Sequence, residues 1–328
     1  MTHTATRTPH TRTSDATSRP LPFVAGVRHR FVDTPRLRFH VAEVGHGQPV
    51  VLLHGWPQHW YAWRKLLPLL AGDYRLICPD LRGFGWTDAP SHGYATPDLV
   101  DDVIALLDAL GLDQVLLVGQ DRGGWLGFHL CLRAPQRVRR YLALGAIHPY
   151  WSVRRLLPHA WRSWYTVLIE TPLLGRFMVR HVPAFTRLVL RLGVRDRTAL
   201  APADVEEFVA AIREPARARA SERLYHHVGY REVIPTALGR YKSPSTRLAV
   251  PTLLLNGRLC RIRQDAGGLR AVRRGPARPA RRRRRSPARR RASRRRGGSG
   301  PRILRPPGHA RPNRGPALGP WARPALAN

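Results

Sequence analysis

QVLLVGQDRGGWLGFHLCL, residues 114–132, is the stretch that decides how this chain folds. Gln114–Val118 is a continuous apolar run of the kind expected for a strand buried on both faces. Gly119-Gln120-Asp121-Arg122-Gly123-Gly124 follows, and Trp125–Leu132 reads as a helix. The order is strand, sharp turn, helix, with the spacing of a G-x-S-x-G nucleophile turn and Asp in place of Ser. The glycines permit a tight turn and a close approach of helix to strand. The turn lifts the Asp121 carboxylate above the sheet, where helix N-terminal amides support developing negative charge. A phosphate loop does not fit, because no GK[ST] follows and G-x-G-x-x-G is not matched. A tight turn without chemistry remains the alternative.

Working outward, Val50–His54 (VVLLH) and Tyr74–Cys78 are further buried-strand runs, and Arg36–Val44 alternates like a half-exposed strand. The clearest helix is expected over Pro97–Leu110, with Leu99, Val103, Leu106, Leu107 and Leu110 on one face. Pro97 suits its first turn, Asp98, Asp101 and Asp102 complement its dipole, and Gly111 stops it. Strands alternating with helices imply an α/β fold, a mostly parallel sheet covered on both faces. Chemistry then sits beyond the carboxyl ends of the strands. The expected organisation is a disordered polar leader over 1–23, a first core part over 24–147, a helical cap over 148–241, a core strand over 242–257 and a disordered Arg/Pro-rich tail over 258–328.

His54-Gly55-Trp56-Pro57 directly follows the VVLLH strand. In this arrangement one oxyanion-hole amide comes from the loop after that strand, here Trp56, and the other from the residue after the nucleophile, here Arg122. Together, HGWPQHWYAWRKLLPLL, PDLRGFGWTDAP and LVGQDRGGWLGFHLCLRAPQRVRRYLALGAIHP resemble the α/β-hydrolase branch that contains epoxide hydrolases and hydrolytic dehalogenases. The resemblance runs roughly from Phe23 to Leu255. It implies an α/β-hydrolase fold with an inserted cap, Asp121 as nucleophile and a cis peptide at Trp56-Pro57. It also implies two cap tyrosines that hydrogen-bond the epoxide oxygen. Tyr165 in WYTVLIETP and Tyr225 in RASERLYHH match those segments. Two phenols polarise the oxygen and protonate the opened alkoxide; the alternative is a pair of packed core aromatics. His54, Pro57, Trp125 and His148 complete the expected substrate-binding set, His148 having a plain junction role as its alternative.

Arg122 departs from many epoxide hydrolases, which carry an aromatic residue there. Fluoroacetate dehalogenases place Arg at that position and a second Arg three residues later, where this chain has Trp125. A cation beside Asp121 is expected to keep the carboxylate ionised. A dehalogenase acting on a small haloacid is therefore the second reading.

In such enzymes Asp attacks to form an alkyl ester, and a His oriented by an acid activates the water that hydrolyses it. The strand VPTLLLNG over 250–257 is present, but the position where the acid is expected is Cys260. Beyond it no apolar period survives. Gly308-His309 superficially resembles the catalytic Gly-His, with no strand before it and only Asp265 as an acid partner, so His309 is a weak candidate base. Impaired turnover is expected.

The tail from Arg258 onward holds 23 arginines and one acid, and so carries most of the formal charge of +35. Two readings account for it: a reading-frame shift near codons 257–260, or a genuine basic element that binds nucleic acid or membrane. Trp321 is its one aromatic, against the interleaved rings expected for base stacking. Three cysteines, Cys78, Cys131 and Cys260, argue against a disulfide framework and fit a cytoplasmic location. No run of 18 apolar residues suggests a membrane span, and the N-terminus lacks a signal-peptide core. No metal or organic cofactor is implied; the expected partner is a small-molecule epoxide.

Overall fold

The computed structural model describes residues 19–149, 161, 164–194, 196–237 and 247–256. Cys260, Asp265 and His309, and with them the whole expected tail, lie outside the described residues. Seven strands form one sheet: β1 (Arg28–Asp33), β2 (Arg38–Val44), β3 (Gln48–Leu53), β4 (Tyr74–Pro79), β5 (Val115–Gln120), β6 (Val138–Leu144) and β7 (Thr252–Leu255). Their order is β1-β2-β4-β3-β5-β6-β7. The β1–β2 and β2–β4 pairs are antiparallel and the others parallel. This is the mostly parallel sheet that the alternation of strand and helix implied.

The centre of the sheet follows from composition. Val50, Val51, Leu52 and Leu53 in β3 are all buried, and β3 lies between β4 and β5 in parallel register, Val50 opposite Leu116 and Leu53 opposite Gly119. A strand covered on both faces has no polar side to alternate with. β1 had no counterpart in the sequence reading. RHRFVD is charged and mostly exposed, an edge strand fixed by its pairing to β2 rather than by an apolar pattern.

Helix α1 (Thr96–Ala109) covers one face, and Gly111 beyond it takes a φ of +64°, the left-handed conformation that ends helices. Val103, Leu106 and Leu107 are buried as expected, joined by Val100, while Leu99 and Leu110 are partly buried. Asp102 is different from its reading as a dipole partner. It points inward, and Arg82 grips it with Nε at 2.6 Å and Nη2 at 2.7 Å while Arg36 Nε donates at 2.6 Å. A second buried carboxylate, Asp80, follows β4. It accepts the amides of Trp60 (2.7 Å) and Trp86 (3.0 Å) and lies 2.7 Å from His40 Nδ1. Burial alone would raise the Asp80 pKa, but His40, His59 and His54 more than offset it and hold it well below the usual carboxylate range.

The inserted region is helical over its described part: α3 (Trp164–Glu170), α4 (Leu174–His181), α5 (Pro183–Gly193), α6 (Pro202–Ile212), α7 (Pro215–His226) and a π-helical segment, His227–Val233. It packs through Leu190, Val205, Phe208 and Val209 onto Tyr61 of the core, and Arg64 pairs with Asp204. Of the expected leader 1–23, residues 19–23 are described, and Arg19 has partners. Arg19 bonds Glu207 of α6 at 2.5 Å, approaches Glu214 at 3.3 Å and lies over the Trp86 ring, whose Nε1 donates to the Arg19 carbonyl at 2.9 Å. A polar, Thr- and Arg-rich composition gave no sign of these partners.

Asp102→Ala would leave the buried Arg82 guanidinium without its counter-charge. Urea unfolding is expected to show a loss of about 3–5 kcal/mol. A loss below about 1 kcal/mol would mean that solvent or another acid takes over the pairing.

Candidate active site

The site grows from the junction of β5 and α2 (Asp121–Arg133). Asp121 sits there with a φ of +49°, a left-handed conformation unusual for a residue with a side chain. Two close approaches hold it. A Cβ on Gly123 would collide with the backbone of Leu53, so glycine lets the first turn of α2 press against β3. A Cβ on Gly55 would fall 2.6 Å from Asp121 Cβ, so glycine also lets the loop after β3 pass directly over the carboxylate.

That loop delivers the Trp56 amide, which donates to Asp121 Oδ2 at 3.0 Å. The Arg122 amide donates to the same carboxylate. The two backbone groups expected to form an oxyanion hole thus converge on Asp121. Trp56-Pro57 is cis, with Pro57 buried. Burial pushes the Asp121 carboxyl above its ordinary range, and the Arg122 charge and the two amides only partly oppose the shift. Arg122 acts in the expected direction, favouring the ionised form, but desolvation is the larger effect and the net shift is upward.

Above the carboxylate the lid contributes both predicted tyrosines. Tyr225 of α7 is buried and meets the Trp56 ring edge-on at 5.4 Å between centroids; Tyr165 of α3 is half-buried and lies parallel to Trp56 at 6.5 Å. The Arg122 guanidinium lies 4.5 Å over the Tyr225 ring and hydrogen-bonds its side chain. Burial pushes the Tyr165 pKa up to about 12, with the Asp121 charge adding to it, and drives Tyr225 well above the usual range. Both phenols therefore keep their protons at neutral pH, and each has an O–H available to donate.

The remaining candidates divide. Trp125 lines an apolar cleft with Trp56, Arg122, Leu81, Phe84 and Leu99, and its Nε1 donates to Thr96 Oγ1 at 3.2 Å. Asp121, Tyr165 and Tyr225 lie outside the lining of that cleft. His54 borders it too, but both ring nitrogens are committed, Nδ1 to the Gly55 carbonyl and Nε2 to the Leu81 amide, each at 3.0 Å. Burial lowers its pKa to about 4, so it presents a neutral ring face and no spare hydrogen-bonding group. His148 is buried against Phe128 at 6.5 Å between centroids. Among the described residues, no cluster of three or more His, Cys, Asp or Glu side chains is placed to hold a metal, and no helix is long and apolar enough to cross a membrane.

Sequence reasoning missed the fastenings between lid and core. Glu232 accepts both the Thr96 amide (3.2 Å) and its hydroxyl (2.9 Å), and Trp56 Nε1 donates to Ser221 Oγ at 3.0 Å. These pairs are 136 and 165 residues apart, so no local pattern marks them. Asp80 had a signal, a carboxylate placed at the end of an apolar strand.

The model of the alpha/beta hydrolase fold family matches residues 48–265. Epoxide hydrolase 2 of Siraitia grosvenorii is 46% identical over 122 residues, which are 36% of this chain and 39% of that protein, so the chain spans well under half the length of that relative. Fluoroacetate dehalogenase of Burkholderia is 30% identical over 205 residues, covering 60% of this chain and 67% of that one. The crystal structure of epoxide hydrolase VrEH1 from Vigna radiata superposes with a TM-score of 0.59 at 26% identity, over 71% of this chain and 80% of that one. With a family match over most of the described core and the sheet order seen above, the chain belongs to the α/β-hydrolase fold family.

Proposed function

We propose that this hydrolase opens an epoxide through an ester on Asp121. A carboxylate oxygen of Asp121 forms a bond to a ring carbon, and the ring C–O bond breaks. The departing oxygen takes a proton from Tyr165 or Tyr225. The Trp56 and Arg122 amides then face the ester carbonyl, where they stabilise the oxyanion formed when water attacks it. The observation that carries this reading is the meeting of a buried Asp on a positive-φ turn with two protonated phenols from the lid.

Arg122 fits the same scheme. A cation 4.5 Å over the Tyr225 ring stabilises the phenolate left after proton donation. It also supports a second reading, a haloacid whose carboxylate pairs with Arg122, in keeping with the similarity to a fluoroacetate dehalogenase. Tyr225 already occupies the guanidinium, which favours the epoxide. By family pattern the acid of the second half-reaction would fall at Cys260, which is no carboxylate, and His309 is only a weak candidate base, so we infer a chain that stops at the ester.

Incubation of the full chain with styrene oxide is expected to add one epoxide mass by intact mass spectrometry, with no addition to Asp121→Asn. Labelling by chloroacetate but not by styrene oxide would transfer the assignment to the haloacid. Tyr225→Phe should slow ester formation by roughly 100-fold, the usual scale for losing a general acid; an unchanged rate would remove Tyr225 from the chemistry.

Ester formation needs ionised Asp121, and burial raises its pKa. The labelling rate should therefore fall on acidification at a pH above the ordinary Asp range of about 3.9. A rate flat down to that range would show that the carboxylate titrates normally.

A further inference from the structure

The lid also carries a set of exposed side chains that the proposed chemistry does not use. On α4, Leu173 at its N-cap, Leu174, Phe177, Arg180 and His181 are exposed; on α5, so are Ala184, Leu188, Arg191 and Leu192. The spacing of three or four residues places each set on one side of its helix. Leu173 is 72% exposed, Phe177 54%, Leu188 44% and Leu192 56%. Neighbouring α3 adds Trp164 and Val167 to the exposed apolar side chains, and Trp161 is exposed just before it. Folded chains rarely leave so many large apolar side chains in water without a partner.

The charge on these helices is one-signed. Residues 171–194 contain Arg176, Arg180, His181, Arg187 and Arg191 and no Asp or Glu. Arg176 and Arg187 are paired with Glu222 and Glu206 of the adjoining helices. Arg180 and Arg191 make no ion pair among the described residues, though Arg191 lies within the field of Glu206. Leu, Phe and Trp beside unpaired arginines is the composition of helices that lie in the headgroup region of a bilayer, apolar groups inserted and cations on lipid phosphates. A second copy of the chain is a poor match for this face, because pairing it with itself sets arginine against arginine.

We propose that the outer face of α4 and α5 docks on an anionic lipid surface, with Leu173, Phe177 and Leu188 inserted and Arg180 and Arg191 on lipid phosphates. The proposal is independent of the reaction at Asp121 and is read without any activity.

The test uses the full chain with vesicles of phosphatidylcholine alone and of phosphatidylcholine mixed with phosphatidylserine. Binding to the mixed vesicles is expected, with a part that survives high salt. Brominated lipid should quench tryptophan fluorescence, less so in Trp164→Phe. Phe177→Asp with Leu188→Asp should weaken partitioning by about tenfold or more. Arg180→Glu and Arg191→Glu should each weaken it about fivefold on the mixed vesicles only. Melting curves matching the parent confirm that these surface variants fold. Three results would overturn the proposal. One is binding that high salt removes and the α4–α5 variants leave unchanged, which assigns it to the Arg-rich segment 258–328. Another is binding without quenching of Trp164. The third is no vesicle binding together with self-association abolished by Phe177→Asp, which makes a second copy the occupant.

Discussion

A carboxylate held out of water by two backbone amides is the constraint on which this structure depends. The amides of Trp56 and Arg122 reach Asp121 only because the loop after β3 and the first turn of α2 come within contact distance of each other. That approach requires glycine at positions 55 and 123, where any side chain would overlap Asp121 or the backbone of β3. It also forces Asp121 into its left-handed conformation. The strain is local, and the parallel pairing of β3 with β5 fixes both ends of the turn.

Around this point the fold spends its buried charges on holding loops. Asp80 fixes the segments at Trp60 and Trp86 through their amides, and Asp102 fixes Arg82, whose side chain borders the apolar cleft. Both carboxylates have several charge-assisted partners, the condition under which a buried charge is tolerated. Asp121 has a thinner set and a raised pKa. The contrast separates carboxylates held by cationic or histidine partners from one held by backbone amides and raised by burial.

The lid has two chemically distinct sides. Toward the core it supplies Tyr165 and Tyr225, and it is fastened by Ser221 to Trp56, by Glu232 to Thr96 and by Glu207 and Glu214 to Arg19. Outward it carries apolar side chains and arginines with no acid between residues 171 and 194. The helical insertion thus packs on the core with one side and leaves apolar side chains and arginines exposed on the other.

The sequence by itself determined the central strands, helix α1, the sharp turn at Asp121 and the two backbone amides that converge on it. Each is written in a contiguous run, VVLLH, QVLLV or GQDRGG, whose periodicity or spacing is enforced by backbone geometry. The two tyrosines were legible through family resemblance rather than through any local physical pattern. Tertiary structure alone decided the rest. β1 exists because β2 offers an edge, and Asp102 turns inward because Arg82 and Arg36 meet it there. His54, expected in the substrate-binding set, has both ring nitrogens claimed by Gly55 and Leu81. The net direction of the Asp121 shift was likewise beyond a linear reading. Arg122 is adjacent in sequence and visible there, whereas the desolvation that outweighs it comes from residues brought together only when lid and core close over the carboxylate.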